Sequence, residues 1–168
     1  MKSSYADPVE TPPTVDERVT LVGLLLEAHR GLTREFQPIQ RRHGLSPTEF
    51  TALLRTSRSP GGRLRMSDLA AQIGLSTSGV TTLVERLIGR GLMDRAADPC
   101  DRRALVVTLT GAGRELLAGA QAEMLPVIER CLVAPLGEDL PAFAASLARV
   151  RDVVEPNATA GADRLDGC

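Results

Sequence analysis

The stretch LSTSGVTTLVERLIGRG, Leu75–Gly91, sets two patterns against each other. Its apolar residues Val80, Leu83, Val84, Leu87 and Ile88 recur at i, i+3, i+4, i+7 and i+8, which predicts an amphipathic helix with one buried face. Its first turns, however, hold Ser76, Thr77, Ser78, Gly79, Thr81 and Thr82, all mediocre or poor helix formers. A helix made only for packing would carry Ala, Glu or Lys on that exposed face. The hydroxyl side chains need another reason.

The flanking residues supply it. Upstream, MSDLAAQIG (66–74) reads as a short helix with Ser67 as its N-cap, Leu69, Ala70 and Ile73 facing inward, and Gly74 in the left-handed conformation that ends it. Leu75 packs inward and Ser76 caps the next helix. Two short helices joined by a tight turn containing Gly form a helix-turn-helix, and the small Ala70 and Ala71 allow them a close approach. Downstream, LMDR (92–95) and the β-branched ALVVTL (104–109) read as strands, with AADPCDR (96–102) as a hairpin tip. A helix-turn-helix followed by a hairpin is a winged helix.

Further out, nearly everything reads as helix. LSPTEF (45–50) opens one with Ser46 at the N-cap, Pro47 at N1, Glu49 closing a capping box, and Leu45 placed to staple to Phe50; SPGGR (59–63) breaks the chain after it. A first helix starts near Asp16 with Leu21, Leu24, Leu25, Ala28, Leu32 and Phe36 on one side, and Pro38 predicts its kink or end. Thr110 caps a long helix carrying Leu116, Leu117, Ala120, Met124, Val127 and Ile128, interrupted by Pro126. A last helix carries Leu140, Phe143, Ala144, Leu147, Val150 and Val154.

The predicted fold is therefore mainly α with a small β-hairpin wing. One domain spans 16–154, with the winged helix-turn-helix at about 46–110 and outer helices at about 16–43 and 111–154. Residues 1–15 and 155–168, rich in Pro, Ser, Thr or small polar residues, read as a disordered arm and tail. The outer helices hold more apolar positions than so small a domain can bury. An intrachain bundle and a dimer interface both account for this; the dimer is favoured because helix-turn-helix proteins read DNA in pairs.

Composition narrows the function. The net charge of −1 hides 11 arginines against 6 acids between Arg41 and Arg103, a basic middle suited to a polyanion. Aromatics make up 2% and Trp is absent, which argues against stacking platforms for single strands. Cys100, Cys131 and Cys168 are widely spaced and form no metal-ligand cluster with His29 and His43, so neither a disulfide framework nor a metal is expected. No phosphate loop, nucleophile elbow or paired carboxylates beside a histidine are visible, so neither an enzyme nor a cofactor is expected. With no run of about 18 apolar residues and no signal-peptide core, no membrane partner is expected and the cytoplasm is the default.

With Val80, Leu83, Val84 and Leu87 held inward, Thr77, Ser78, Thr81, Thr82 and Arg86 face outward. Small hydroxyl side chains let a helix sink into the major groove and bond phosphates or base edges. Ser76 is accounted for as well by capping as by contact; for Thr81 and Thr82, in mid-helix, capping explains nothing. Arg102 and Arg103 sit at the hairpin tip, where an arginine can enter the minor groove. Asp101 fits such a site if it orients a neighbouring arginine by ion pairing.

LSPTEFTALL (45–54), MSDLAAQIGLSTSGVTTLVERLIGRGLMDR (66–95) and above all DPCDRRALVVTLTGAG (98–113) resemble the MarR family of bacterial transcription regulators, over roughly residues 17–154. The resemblance implies a homodimer interlocked through its terminal helices. It places Ser76, Thr77, Ser78, Thr81 and Arg86 in the major groove and Arg103 in the minor groove, with Asp101 bracing the wing. It also implies repression from a palindromic operator on double-stranded DNA, with release by a small anionic or phenolic effector. The effector residues are unknown; His29, Arg30 and Arg34 could meet a carboxylate, though surface solvation explains them. The chain lacks the cysteine near the start of the first helix used by the family's oxidant sensors and the tryptophan of its urate-responsive branch. A winged helix used for protein docking is the alternative, but the outer face of residues 76–90 offers no aromatic or leucine anchor for it.

Overall fold

The computed structural model describes residues 16–101 and 103–161. The expected N-terminal arm, Arg102 and residues 162–168 of the expected tail lie outside the described residues. Contacts divide the chain into two units, one ending at Arg34 and the other beginning at Glu35.

Helix α1 (Glu17–Arg42) starts in the first unit and runs on into the second, and Pro38 does not end it: the helix continues to Arg42. A proline removes one donor, the one that would return to the Arg34 carbonyl, while the turn beyond it is held by buried Ile39 and Gln40. In the first unit Val19, Leu21, Val22, Leu24 and Leu26 are all more than half exposed.

The second unit is ordered by caps. Helix α2 (Pro47–Arg58) starts as predicted: the Glu49 N–H donates to Ser46 Oγ at 3.2 Å and the Ser46 N–H donates to Glu49 Oε2 at 2.8 Å. Leu45 and Phe50, the expected staple, are both buried in the core. Gly61 and Gly62, at φ of 61° and 66°, then turn the chain into a strand that sequence reading does not find, β1 (Arg63–Arg65). Three residues show no period, and only pairing with β3 defines them. That strand also moves the start of α3 (Met66–Ile73): its N-cap is Arg65 without a side-chain bond, in place of the expected Ser67. Gly74 ends α3 at φ 66°, and Ser76 caps α4 (Thr77–Gly89) by accepting the Gly79 N–H at 3.1 Å.

Strands β2 (Met93–Ala97) and β3 (Leu105–Leu109) form the expected hairpin, and β1 makes it a three-stranded antiparallel sheet of order β1-β3-β2. Leu64 opposite Val107 and Met93 opposite Leu109 point into the core, where Leu53, Leu69, Val84 and Leu87 are fully buried. Thr110 caps α5 (Gly111–Ile128), accepting the Gly113 N–H at 2.9 Å. A β-carbon at Gly113 would run into the Leu92 carbonyl, so glycine lets α5 lie directly on the strand entry.

A π-helical turn (Glu129–Val133), a short α6 (Ala134–Leu136) and a 3-10 turn at Gly137–Asp139 lead to α7 (Leu140–Val154), which buries none of its residues. By length and hydropathy the stretch Gly111–Val154 could cross a membrane, a property the search for an unbroken apolar run misses. It is not one continuous helix: Gly137 breaks it at φ 49°, with Glu138 and Asp139 at the break. The chain also does not become loose at residue 155. It continues through turns to Gly161, with Ala158 buried, because the backbone there finds partners on α2 and α3.

Candidate nucleic-acid interface

Four buried side chains hold α4 down: Val80, Leu83, Val84 and Leu87. This is the stripe expected from the sequence, and it turns Ser76, Thr77, Ser78, Thr82 and Arg86 outward, all exposed, with Thr81 half-buried. The face is not uniform. Thr77 and Thr81, one turn apart, line a groove of about 320 Å³ shared with Arg95 and Arg103 of the wing. Ser78 and Thr82 form the adjacent row.

The mid-helix hydroxyls are already engaged. Thr81 Oγ1 donates to the Thr77 carbonyl at 2.8 Å and Thr82 Oγ1 to the Ser78 carbonyl at 3.1 Å. Such back-bonding spends the hydroxyl proton within the helix and leaves the oxygen's lone pairs as acceptors. At the helix start, Ser76 Oγ and Ser78 Oγ lie 3.1 Å apart, so capping and surface presentation coincide.

Arg86 is the long arm of this face. Its side chain is 57% exposed and its Nη1 stands 3.7 Å from Glu49 Oε1, while Arg90 Nη1 stands 3.3 Å from the same oxygen. Burial alone would raise the Glu49 carboxyl; hydrogen bonds from Ser46 and the charges of Arg90 and Arg86 outweigh it and hold the group below its usual range. One capping residue therefore joins the start of α2 to the last turns of α4.

A second acid, Asp98, organises the wing from within. Asp98 is 1% exposed; its Oδ2 accepts from Arg65 Nε at 2.6 Å and its Oδ1 from the Cys100 N–H at 2.9 Å. The Cys100 bond, against the cost of burial and together with Arg65, keeps Asp98 ionised below the ordinary aspartate range. Asp101 acts on Arg103 through the backbone: its Oδ1 accepts the Arg103 N–H at 3.0 Å, closing the turn that presents the exposed Arg103. Among the described residues the arginine–carboxylate ion pair at the wing is that of Arg65 with Asp98. Cys100 is exposed at the tip and disulfide-bonded, although no disulfide framework is expected from the sequence, while Cys131 is free.

Comparison with known proteins decides the lineage. The MarR family model matches residues 43–104, the segment that holds the helix-turn-helix and the wing up to β3. The transcriptional repressor MdtR of Bacillus subtilis is 30% identical over 112 residues, which are 60% of this chain and 71% of that protein. The chain belongs to the MarR family. The transcriptional repressor MprA of Escherichia coli is 27% identical over 116 residues, 69% of this chain, and the chain spans just under two thirds of that relative, 64% of its length. Sco3205, a MarR family transcriptional regulator from Streptomyces coelicolor solved in complex with DNA, shares the fold at 24% identity and a TM-score of 0.71, over 92% of this chain and 96% of that one.

Within this MarR-family head, sequence reasoning misses Glu49, Arg65, Arg90 and Asp98. Glu49 carries a sequence signal, but for capping only; its arginine partners lie far along the chain. Asp98 stands in the same DPCDRR segment as Asp101, and only burial tells the two apart. His43 meets α5: its Nε2 lies 2.9 Å from Glu123 Oε1, with Arg42 on the other carboxylate oxygen at 2.5 Å. His29, Arg30 and Arg34 are exposed on the first unit. Among the described residues no group of three His, Cys, Asp or Glu could hold a metal.

Proposed function

We propose that this MarR-family chain is a sequence-specific, double-stranded DNA-binding transcriptional repressor that acts as a homodimer in the cytoplasm. In this reading α4 enters the major groove through Ser76, Thr77, Ser78, Thr81, Thr82 and Arg86, and Arg103, with Arg102, enters the minor groove on a wing braced by Asp101. The observation that carries it is the outward hydroxyl row of α4, anchored by a fully apolar inner face and flanked by the exposed arginine of the wing. Two recognition helices about 34 Å apart would meet successive major grooves of a palindromic operator. The exposed apolar side chains of the first unit and of α7 support a second copy as their cover.

Release by a small anionic or phenolic effector is the finer part of the proposal. A cavity of about 230 Å³ is walled by Phe36, Phe50, Leu54 and Met124 and bears Arg58 at its edge. An aromatic ring with one negative group matches that lining.

Selection of duplexes from random-sequence DNA, followed by fluorescence anisotropy with a salt titration, tests the reading. A palindromic site bound by one dimer, with affinity falling steeply as salt rises, is expected. Arg103→Ala should weaken binding ten- to a hundredfold and lower the salt slope by about 1, leaving thermal stability unchanged. Enrichment of no duplex over competitor would remove the DNA-binding reading, and the protein-docking alternative would replace it.

A further inference from the structure

We infer that the C-terminal segment Glu155–Gly161 is an intramolecular ligand of the helix-turn-helix, seated on α2 and α3, that couples the last helix to the DNA-reading head. The inference rests on the proposed DNA-binding function for what the seat does, though not for its existence.

The seat is built from side chains of α2 and α3. Arg55 Nη1, on α2, donates to the Ala158 carbonyl at 3.2 Å. Gln72 Nε2, on α3, donates to the Ala160 carbonyl at 2.7 Å. Ala158 is 6% exposed, the only residue of the segment whose side chain is buried. Gly161 takes φ +80°, and a β-carbon there would collide with the Asp68 carboxylate, itself buried on α3. The segment arrives pre-shaped: the Ala158 N–H donates to the Glu155 carbonyl and the Ala160 N–H to the Asn157 carbonyl, each at 2.9 Å. Two side-chain donors aimed at backbone carbonyls two residues apart are the chemistry by which a surface recognises a peptide by its path.

The side of α3 used is informative. Asp68 and Gln72 are one turn apart and form one row, whereas Met66, Ser67 and Ala70 form another that lines the groove shared with the wing. The segment therefore grips α3 without filling that groove, so it braces the head and does not compete for its DNA-facing side. It also follows α7 directly, after the helix ends at Val154. A shift of α7 is carried by a seven-residue connection into α3, and α3 packs against α4. A short link between two packed elements can transmit movement in either direction.

Full-length Gln72→Ala and Gly161→Val, both at positions off the proposed DNA contacts, test this by amide hydrogen exchange, limited proteolysis and operator binding. The expected result is exchange across residues 66–73 accelerated about tenfold or more, new cleavage within residues 155–161, and operator affinity weakened about tenfold with the oligomeric state unchanged. Unchanged exchange and cleavage in both variants would overturn the seat. Faster exchange with undiminished operator affinity would overturn the coupling. If the wild-type chain selects no duplex, the DNA-binding reading has failed, and the exchange and proteolysis comparison alone still decides whether the segment is seated.

Discussion

At the scale of single residues, two buried carboxylates position the arginines beside them. Glu49 holds Arg86 and Arg90, and Asp98 holds Arg65 and the Cys100 N–H. Both acids are depressed below their ordinary values of 4.5 and 3.8. For a carboxylate with a lowered folded-state pKa, the stability it contributes is complete above the unfolded value and is lost as pH falls through the folded one. Urea midpoints should therefore hold from neutral pH down to about pH 4.5 on account of these groups and decline below it. Glu49→Gln keeps the shape and removes the charge; it should cost about 1 kcal/mol near neutrality and flatten the decline, as parallel urea titrations at pH 6 and pH 3.5 would measure. An identical pH profile in the variant would exclude Glu49 as a stabilising anion. The hydroxyl face of α4 was legible from residue types alone, because poor helix formers on an exposed face are costly without another use. The two positioning acids were not, because an ion pair between residues far apart in the chain leaves no local trace.

Among the elements, caps and contact glycines set the boundaries. Ser46, Ser76 and Thr110 each accept the N–H three residues on, as their spacing predicts. Where sequence reading erred, the cause was a tertiary partner. β1 exists only because Arg63, Leu64 and Arg65 pair with Thr108, Val107 and Val106, and its arrival displaces the expected cap of α3. Pro38 leaves α1 continuous because packing beyond it outweighs one missing bond. Gly113 and Gly111 differ only in surroundings, and they make a paired test. Gly113→Ala meets the backbone of Leu92 and should cost roughly 2–3 kcal/mol, whereas Gly111→Ala meets nothing within 4 Å and should be neutral or stabilise slightly. Thermal melts of the two variants would check this; equal melting temperatures would mean that α5 does not lie on the strand entry.

At the scale of the whole molecule, the unresolved demand is apolar. Phe143, Leu147, Val150, Val153 and Val154 of α7 are 36–81% exposed in a helix that buries nothing of its own. A charge placed there should leave a single chain folded and break an interface between two. Leu147→Glu should therefore turn a dimer into a monomer in sedimentation velocity, weakening association at least about a hundredfold, with the thermal transition becoming concentration-independent. A wild-type chain that sediments as a monomer would remove the dimer from the proposal. Sequence by itself determined the winged helix-turn-helix, the outward face of α4 and the surplus of apolar helix, since periodicity, caps and turn residues are local signals that survive without partners. Only the tertiary structure decided which acid organises the wing, where the first strand forms, which hydroxyls share a groove with Arg103, and that the segment after α7 is gripped by α2 and α3. Each of these depends on atoms brought together from distant parts of the chain, and burial, which separates Asp98 from Asp101, is a property of the fold and of no single residue.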